Sequence, residues 1–271
     1  MSLSSILALV DAKHGAATLK VAGLASAAIG APVDALVVKR DARDSIPMVG
    51  EGLSGDLVQQ IMDSAEADAD ADADAAKDVF EHWPATASAT VTEVTGQVGD
   101  VLASIGRVHG MSVLPCGSVG EGNTEAIDAA LFRTGRPALV APLQEVRSVG
   151  KRVAIFWNDS PEAAKAVWGA MPFLRQAETV NAFTVGEDGD AEGALQRLVE
   201  GLKRAGVEAT ANMIAPSNLG APAQLVEAAA DMDADLVVMG AFTHSRLREL
   251  VLGGVTQNML ESLARPTFMA H

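Results

Sequence analysis

Two eight-residue segments restrict the folds open to this chain more than anything else in it. GRPALVAP, Gly135 to Pro142, and ARPTFMAH, Ala264 to His271, share an Arg-Pro pair followed by a short apolar run. Two further matches keep the same order. ILALVDA from Ile6 resembles VAIFWND from Val153, and MSVLPCG from Met111 resembles LVVMGAF from Leu236. Similarity recurring in one order across two halves is the mark of a duplicated module.

In each half, short apolar runs alternate with helical patterns. That gives β-α-β-α-β-α-β-α-β twice. Such alternation implies α/β architecture, a mostly parallel five-stranded sheet with helices on both faces. We therefore expect two tandem domains, residues 1–145 and 146–271, the first longer by about twenty residues. Strands are expected over 5–10, 33–38, 88–95, 111–114 and 137–141 in the first half, and over 152–157, 179–185, 207–214, 236–239 and 265–270 in the second. Ser160 reads as an N-cap with Pro161 at the first helical position. Gly23 falls inside the expected helix from Lys13 to Gly30, where glycine is unfavourable. Trp83, Trp157 and Trp168 read as packing residues.

The excess length of the first half falls on an acidic stretch, Glu66 to Asp78, with aspartates at 68, 70, 72 and 74. A period of two spreads charge around a helix and predicts no apolar face. The expectation is a solvated helical extension or a loop. Asp70, Asp72 and Asp74 also have the 1, 3, 5 spacing of a calcium loop ending at Glu81. Ala75 stands where that loop needs glycine, and Lys77 brings a positive charge.

The candidate site is Val237 to Leu260. An apolar run stops at Gly240, and Gly253 and Gly254 precede Val255, Thr256 and a helical pattern. Glycine lets backbone amides approach an anion, and a helix start supplies unpaired N–H groups. The spacing resembles the nucleotide-binding signature of the universal stress protein family: Gly, two residues, Gly, nine residues, Gly, then Ser or Thr. Here the positions hold Gly240, Thr243, Gly253 and Gly254. Thr243 replaces the second glycine and Gly254 the hydroxyl residue, with Thr256 two places on. A chain with two such halves resembles the tandem class of that family, whose domains pack as a pseudo-dimer.

The resemblance implies an adenine nucleotide, ATP, across the strand ends of the second half. Asn158 and Asp159 would lie near the adenosine. Phe183 to Val185 would frame the base by backbone contacts. Met239 and Gly240 would meet the ribose, and Gly253, Gly254, Val255 and Thr256 would cradle phosphate, with His244 and Arg246 nearby. The first half, with Gly117, Gly120 and Gly122 but no second glycine pair, lacks the signature and reads as a structural or regulatory partner.

The remaining composition narrows the function. A net charge of −15 opposes a general nucleic-acid surface, and with no tyrosine there is little to stack on bases. No apolar run is long enough to span a membrane. The N-terminal stretch lacks a basic segment and reads as a strand rather than a signal peptide. The single cysteine, Cys116, suits a reducing cytoplasm and reads as a small core residue. No nucleophile elbow, Walker lysine, zinc spacing or carboxylate pair is present, so no enzyme is expected. The expected function is a stress-response binding or regulatory module, with an intramolecular pseudo-dimer and room for a homodimer. The alternatives are an interaction protein of the same fold that binds no nucleotide, and a weak nucleotide hydrolase.

Overall fold

The computed structural model describes residues 3–45, 55–84, 89–116, 123–241 and 264–271. The first half runs β1 (Ile6–Leu9), α1 (Gly15–Ile29), β2 (Val33–Lys39), α2 (Gly55–Glu81), β3 (Ala89–Thr95), α3 (Val98–Ile105), β4 (Met111–Pro115), α4 (Asn123–Arg133) and β5 (Ala138–Ala141). The second half runs β6 (Arg152–Phe156), α5 (Pro161–Gly169), α6 (Met171–Leu174), β7 (Thr179–Val185), α7 (Gly189–Arg204), β8 (Thr210–Ile214), α8 (Ala221–Asp231), β9 (Leu236–Gly240) and β10 (Thr267–Ala270).

The strands form one sheet in the order β3-β2-β1-β4-β5-β10-β9-β6-β7-β8. Every described pair is parallel except β5 with β10. The order within each half is the mirror list of the other, as a local two-fold axis requires. That axis passes through the repeated octapeptides. Leu139 and Phe268, which occupy the same place in the two copies, are partners across the antiparallel junction. The duplication therefore yields a continuous ten-stranded sheet rather than two separate sheets of five.

Alternation along the strands sorts the core into layers. Ile6, Ala8, Val10, Val153, Ile155, Leu236, Val238, Leu139 and Phe268 share one face with residues of α1, α2, α5, α6 and α7. Leu7, Leu9, Leu114 and Met269 pack on the other face with α3 and α4. Ala154, Phe156, Phe183 and Val237 form a smaller cluster there with α8. Strands covered on both sides account for unbroken apolar runs such as Leu236 to Met239. Phe173 and Phe268 meet edge to face, 6.1 Å between centroids, beside the junction.

The acidic stretch corrects one expectation. It lies within the single 27-residue helix α2, and that helix does have a buried face. Ala69, Ala73 and Ala76 are buried, at spacings of four and three. The alanines between the aspartates supply an inward stripe that attention to the charges alone overlooks. Successive aspartates point elsewhere. Asp70 pairs with Lys39, Asp72 with Arg40 at 3.6 Å and Asp74 with Lys77 at 2.7 Å. Three carboxylates with three separate cations do not form a calcium cage, and no group of three potential metal ligands occurs among the described residues. Ala73→Asp is expected to cost about 3 kcal/mol, because it buries an unpaired carboxylate. Ala71→Asp, on the exposed side, should stay within about 0.5 kcal/mol. Urea unfolding midpoints of the two variants compare them directly.

Gly23 is explained by a neighbour. A Cβ there would lie 2.9 Å from Cζ2 of Trp83, so the glycine lets the indole close on α1. Trp168 departs from its expected role, since 46% of it is exposed on α5. Cys116 is buried, in line with the small-core reading.

Candidate functional site

The chain leaves β6 and winds outward through β7 and β8, then returns on the opposite side of β6 as β9. Adjacent connections therefore diverge between β6 and β9, and α/β sheets bind ligands at the carboxyl ends beside such a divergence. The candidate residues at the ends of β6, β7 and β9 meet there.

Asn158 and Asp159 follow β6, and both are exposed. Asp159 has φ +55°, a left-handed conformation that Asp tolerates better than most residues. Its carboxylate reaches Arg197 of α7 at 3.4 Å. The carbonyl side chain of Asn158 accepts from the Ser160 N–H at 3.4 Å. Ser160 Oγ accepts from the Ala163 N–H at 3.1 Å and caps α5, as its place before Pro161 predicts.

Phe183 and Val185 belong to the last turns of β7's pleat. Phe183 is buried with Phe156, and Ile214 and Met239 pack against the same cluster. These four side chains belong to one apolar core cluster at the ends of four adjacent strands, covered by α8. The Phe183 carbonyl accepts from the Trp157 N–H at 2.8 Å, and Thr184 Oγ1 donates to the Trp157 carbonyl. The Phe183 ring is buried in this cluster, so what this residue leaves at the strand end is mainly backbone.

Gly240 has a firm local reason to be glycine. A Cβ would lie 2.5 Å from the Ala163 nitrogen and 2.8 Å from the Glu162 carbonyl carbon. The end of β9 runs directly against the first turn of α5. Ala241 then pairs back to β10, its N–H donating to the Ala270 carbonyl at 2.9 Å. The last residue, His271, has Nδ1 3.1 Å from the Ala241 carbonyl and its ring 4.4 Å from that of Phe132 on α4. The site's floor is thus tied to the first half.

Two helix starts at this end satisfy their own amides. Besides Ser160 on α5, Asp188 caps α7 by accepting from the Ala191 N–H at 2.8 Å. Each cap occupies one amide of its helix start. Thr243, Gly253, Gly254, Val255 and Thr256, with His244 and Arg246, lie outside the described residues, as do Gly117, Gly120 and Gly122. The described residues therefore bring together Asn158, Asp159, Phe183, Val185, Met239 and Gly240, the half that would meet a nucleoside.

Sequence reasoning passed over Phe156, Ile214 and Gly186. The signal for them lay in position, since each sits at or just past a strand's carboxyl end. Gly186 lets β7 turn closely against α7, where its Cβ would come 3.0 Å from that of Ala191. Trp157 was assigned to packing and has a further feature. Its Nε1 is buried with no hydrogen-bond partner among the described residues. An unmade buried bond carries a desolvation cost of about 1–3 kcal/mol. Trp157→Phe removes the stranded donor and keeps most of the ring, so stability should be unchanged or higher in thermal unfolding.

In the first half the corresponding strand ends are engaged differently. Asp11 accepts from the His14 N–H at the start of α1. Lys39, at the end of β2 where the second half has Val185, is held by Asp70, which raises its pKa. The acidic helix thus supplies a carboxylate to the end of β2.

Comparison with known proteins bears on the fold. Residues 151–271 match the model of the Universal stress protein family. The fold of the whole chain is similar to that of a universal stress protein from Archaeoglobus fulgidus DSM 4304. The two share 14% identity at a TM-score of 0.70, over 99% of this chain and 96% of the other. It is also similar to a functionally unknown protein from Pseudomonas aeruginosa PAO1, with 14% identity and a TM-score of 0.58, over 98% of this chain and 92% of that one. No curated protein matches the chain.

Proposed function

We propose, from a second half that matches the Universal stress protein family, that the chain is a non-catalytic regulatory module holding an adenine nucleotide. The ligand is ATP in the first instance, and it lies across the ends of β9, β6 and β7. The observation that carries this reading is the β6–β9 divergence, with Asn158, Val185, Met239 and Gly240 at or just past the carboxyl ends of adjacent strands beside it. Sheets of this kind bind ligands at such a divergence, where loops rather than core side chains meet the ligand. The capped starts of α5 and α7 leave the phosphates to the amides after Gly253, which the spacing from Gly240 supports.

The nucleotide's effect would be on shape or partners. Bound between strand ends that are tied to the first half through His271 and Phe132, it would stiffen the link between the halves. The first half then serves as partner and reporter, its own strand ends engaged by α2. The reading places the module in the reducing cytoplasm, consistent with one buried thiol. No helix among the described residues is long and apolar enough to cross a membrane.

Mass spectrometry of small molecules released when the purified protein is denatured tests the reading. An adenine nucleotide near one equivalent is the expected result. Absence of any nucleotide, together with no binding of added ATP by calorimetry, would leave an interaction protein of the same fold.

A further inference from the structure

The described residues hold a concave feature far along the chain from those strand ends. It is a groove of about 670 Å³ between α1 and the carboxyl end of α2. That volume is within the range of about 300–1,000 Å³ common for small-molecule sites. One face of α1 supplies Ala16, Lys20, Gly23 and Ala27, at spacings that align them along one side. Val79 and Trp83 form the opposite wall. The small residues on α1 keep the groove open, and Gly23 lets the Trp83 ring lie close as its end wall.

Its charges are unbalanced in a particular way. Asp78 and His82 also border the groove and face each other, with His82 Nδ1 2.8 Å from the Asp78 carbonyl and 3.2 Å from its carboxylate, an ion pair when the imidazole is protonated. Those same contacts raise the His82 pKa, the backbone hydrogen bond most, the carboxylate next. Lys20 is exposed and has no ion pair among the described residues. In a chain with net charge −15, an uncompensated ammonium beside an apolar wall marks where one anionic group would be welcome.

We propose that this groove is a binding site for a small amphiphilic acid. Its apolar body lies along Ala16, Ala27 and Trp83, and its single anionic group meets Lys20. A nucleoside triphosphate is a poor match, since it would bring several charges to one lysine. The site does not depend on the nucleotide reading.

Trp83 reports on it. The chain has three tryptophans, so Trp157→Phe with Trp168→Phe leaves Trp83 alone. Titration with 8-anilinonaphthalene-1-sulfonate should quench Trp83 by energy transfer and saturate near one equivalent. Lys20→Glu should weaken binding by about fivefold or more. Ala27→Phe, at an exposed helix position, should abolish saturable transfer while far-UV circular dichroism stays unchanged. Octanoate should displace the dye at concentrations at least about tenfold below those of octanol. Excess ATP should leave the dye in place. Unsaturable quenching, equal affinity in the Lys20 variant, or equal displacement by octanol would overturn the proposal. Displacement by ATP would overturn its independence from the nucleotide site.

Discussion

Gly240→Ala is expected to lower the melting temperature by about 6–12 °C, whether or not nucleotide is present. The added methyl would sit 2.5 Å from the Ala163 nitrogen and 2.8 Å from the Glu162 carbonyl carbon, and both are backbone atoms. A flexible side chain can swing aside, but a helix start cannot move without carrying α5 with it. Overpacking of this kind costs about 3 kcal/mol, and a chain of this size loses about 2–4 °C per kcal/mol. Gly189→Ala is the control. Nothing lies within 4 Å of its added methyl, so stability should hold or rise slightly. If Gly240→Ala melts like the parent, β9 and α5 do not approach as closely as described. The same clash governs how Gly240 variants are used. A Gly240 variant that no longer binds ATP has lost its strand-to-helix contact, and that loss says little about the ribose.

Much of this architecture was legible because its causes are local and repeated. The apolar run from Leu236 to Met239 and the Ser160-Pro161 start of α5 were plain from residue type and spacing. The octapeptide repeat went further and predicted two like halves. It could not say how they join. Pairing of β5 with β10 depends on two edges meeting across the whole chain, and neither edge carries a distinctive residue. The helical extension expected over the acidic stretch is present in α2, but its buried face is hard to read because the aspartates are conspicuous and alanine is not. Its inward face consists of Ala69, Ala73 and Ala76, which contribute little to a hydrophobic pattern yet permit close approach.

The site was legible in part, for a related reason. Residues on strand ends, such as Phe183 and Met239, inherit their position from the sheet, so locating the strands locates them. The task of Gly240 was not readable. Glycine near a strand end suits both a ligand and a neighbouring helix, and only the distance to Ala163 distinguishes them. Asp159 carries a similar ambiguity. Its carboxylate faces Arg197 across to α7, so its first physical role is to hold the loop after β6 in place.

ATP at about one hundred times its dissociation constant is expected to stabilise the protein by about 2.7 kcal/mol, a rise of about 5–11 °C in melting temperature. The size follows from mass action alone, so the variants give the result its meaning. Gly253→Val should abolish the rise while leaving the melting temperature without ligand near that of the parent, because it blocks the amides expected to meet phosphate. Thr243→Gly should act in the opposite sense. A β-branched residue where the family has glycine resists positive φ by about 1–2 kcal/mol, so its removal should tighten ATP by about 5–30-fold. Isothermal titration of the parent and both variants measures all three effects. The pair also separates two explanations of a weak parent. If Thr243→Gly binds where the parent does not, the pocket is intact and one residue holds it shut. If neither binds, the strand ends around the Phe156 and Phe183 cluster hold no nucleotide, and the interaction-protein reading of the second half gains.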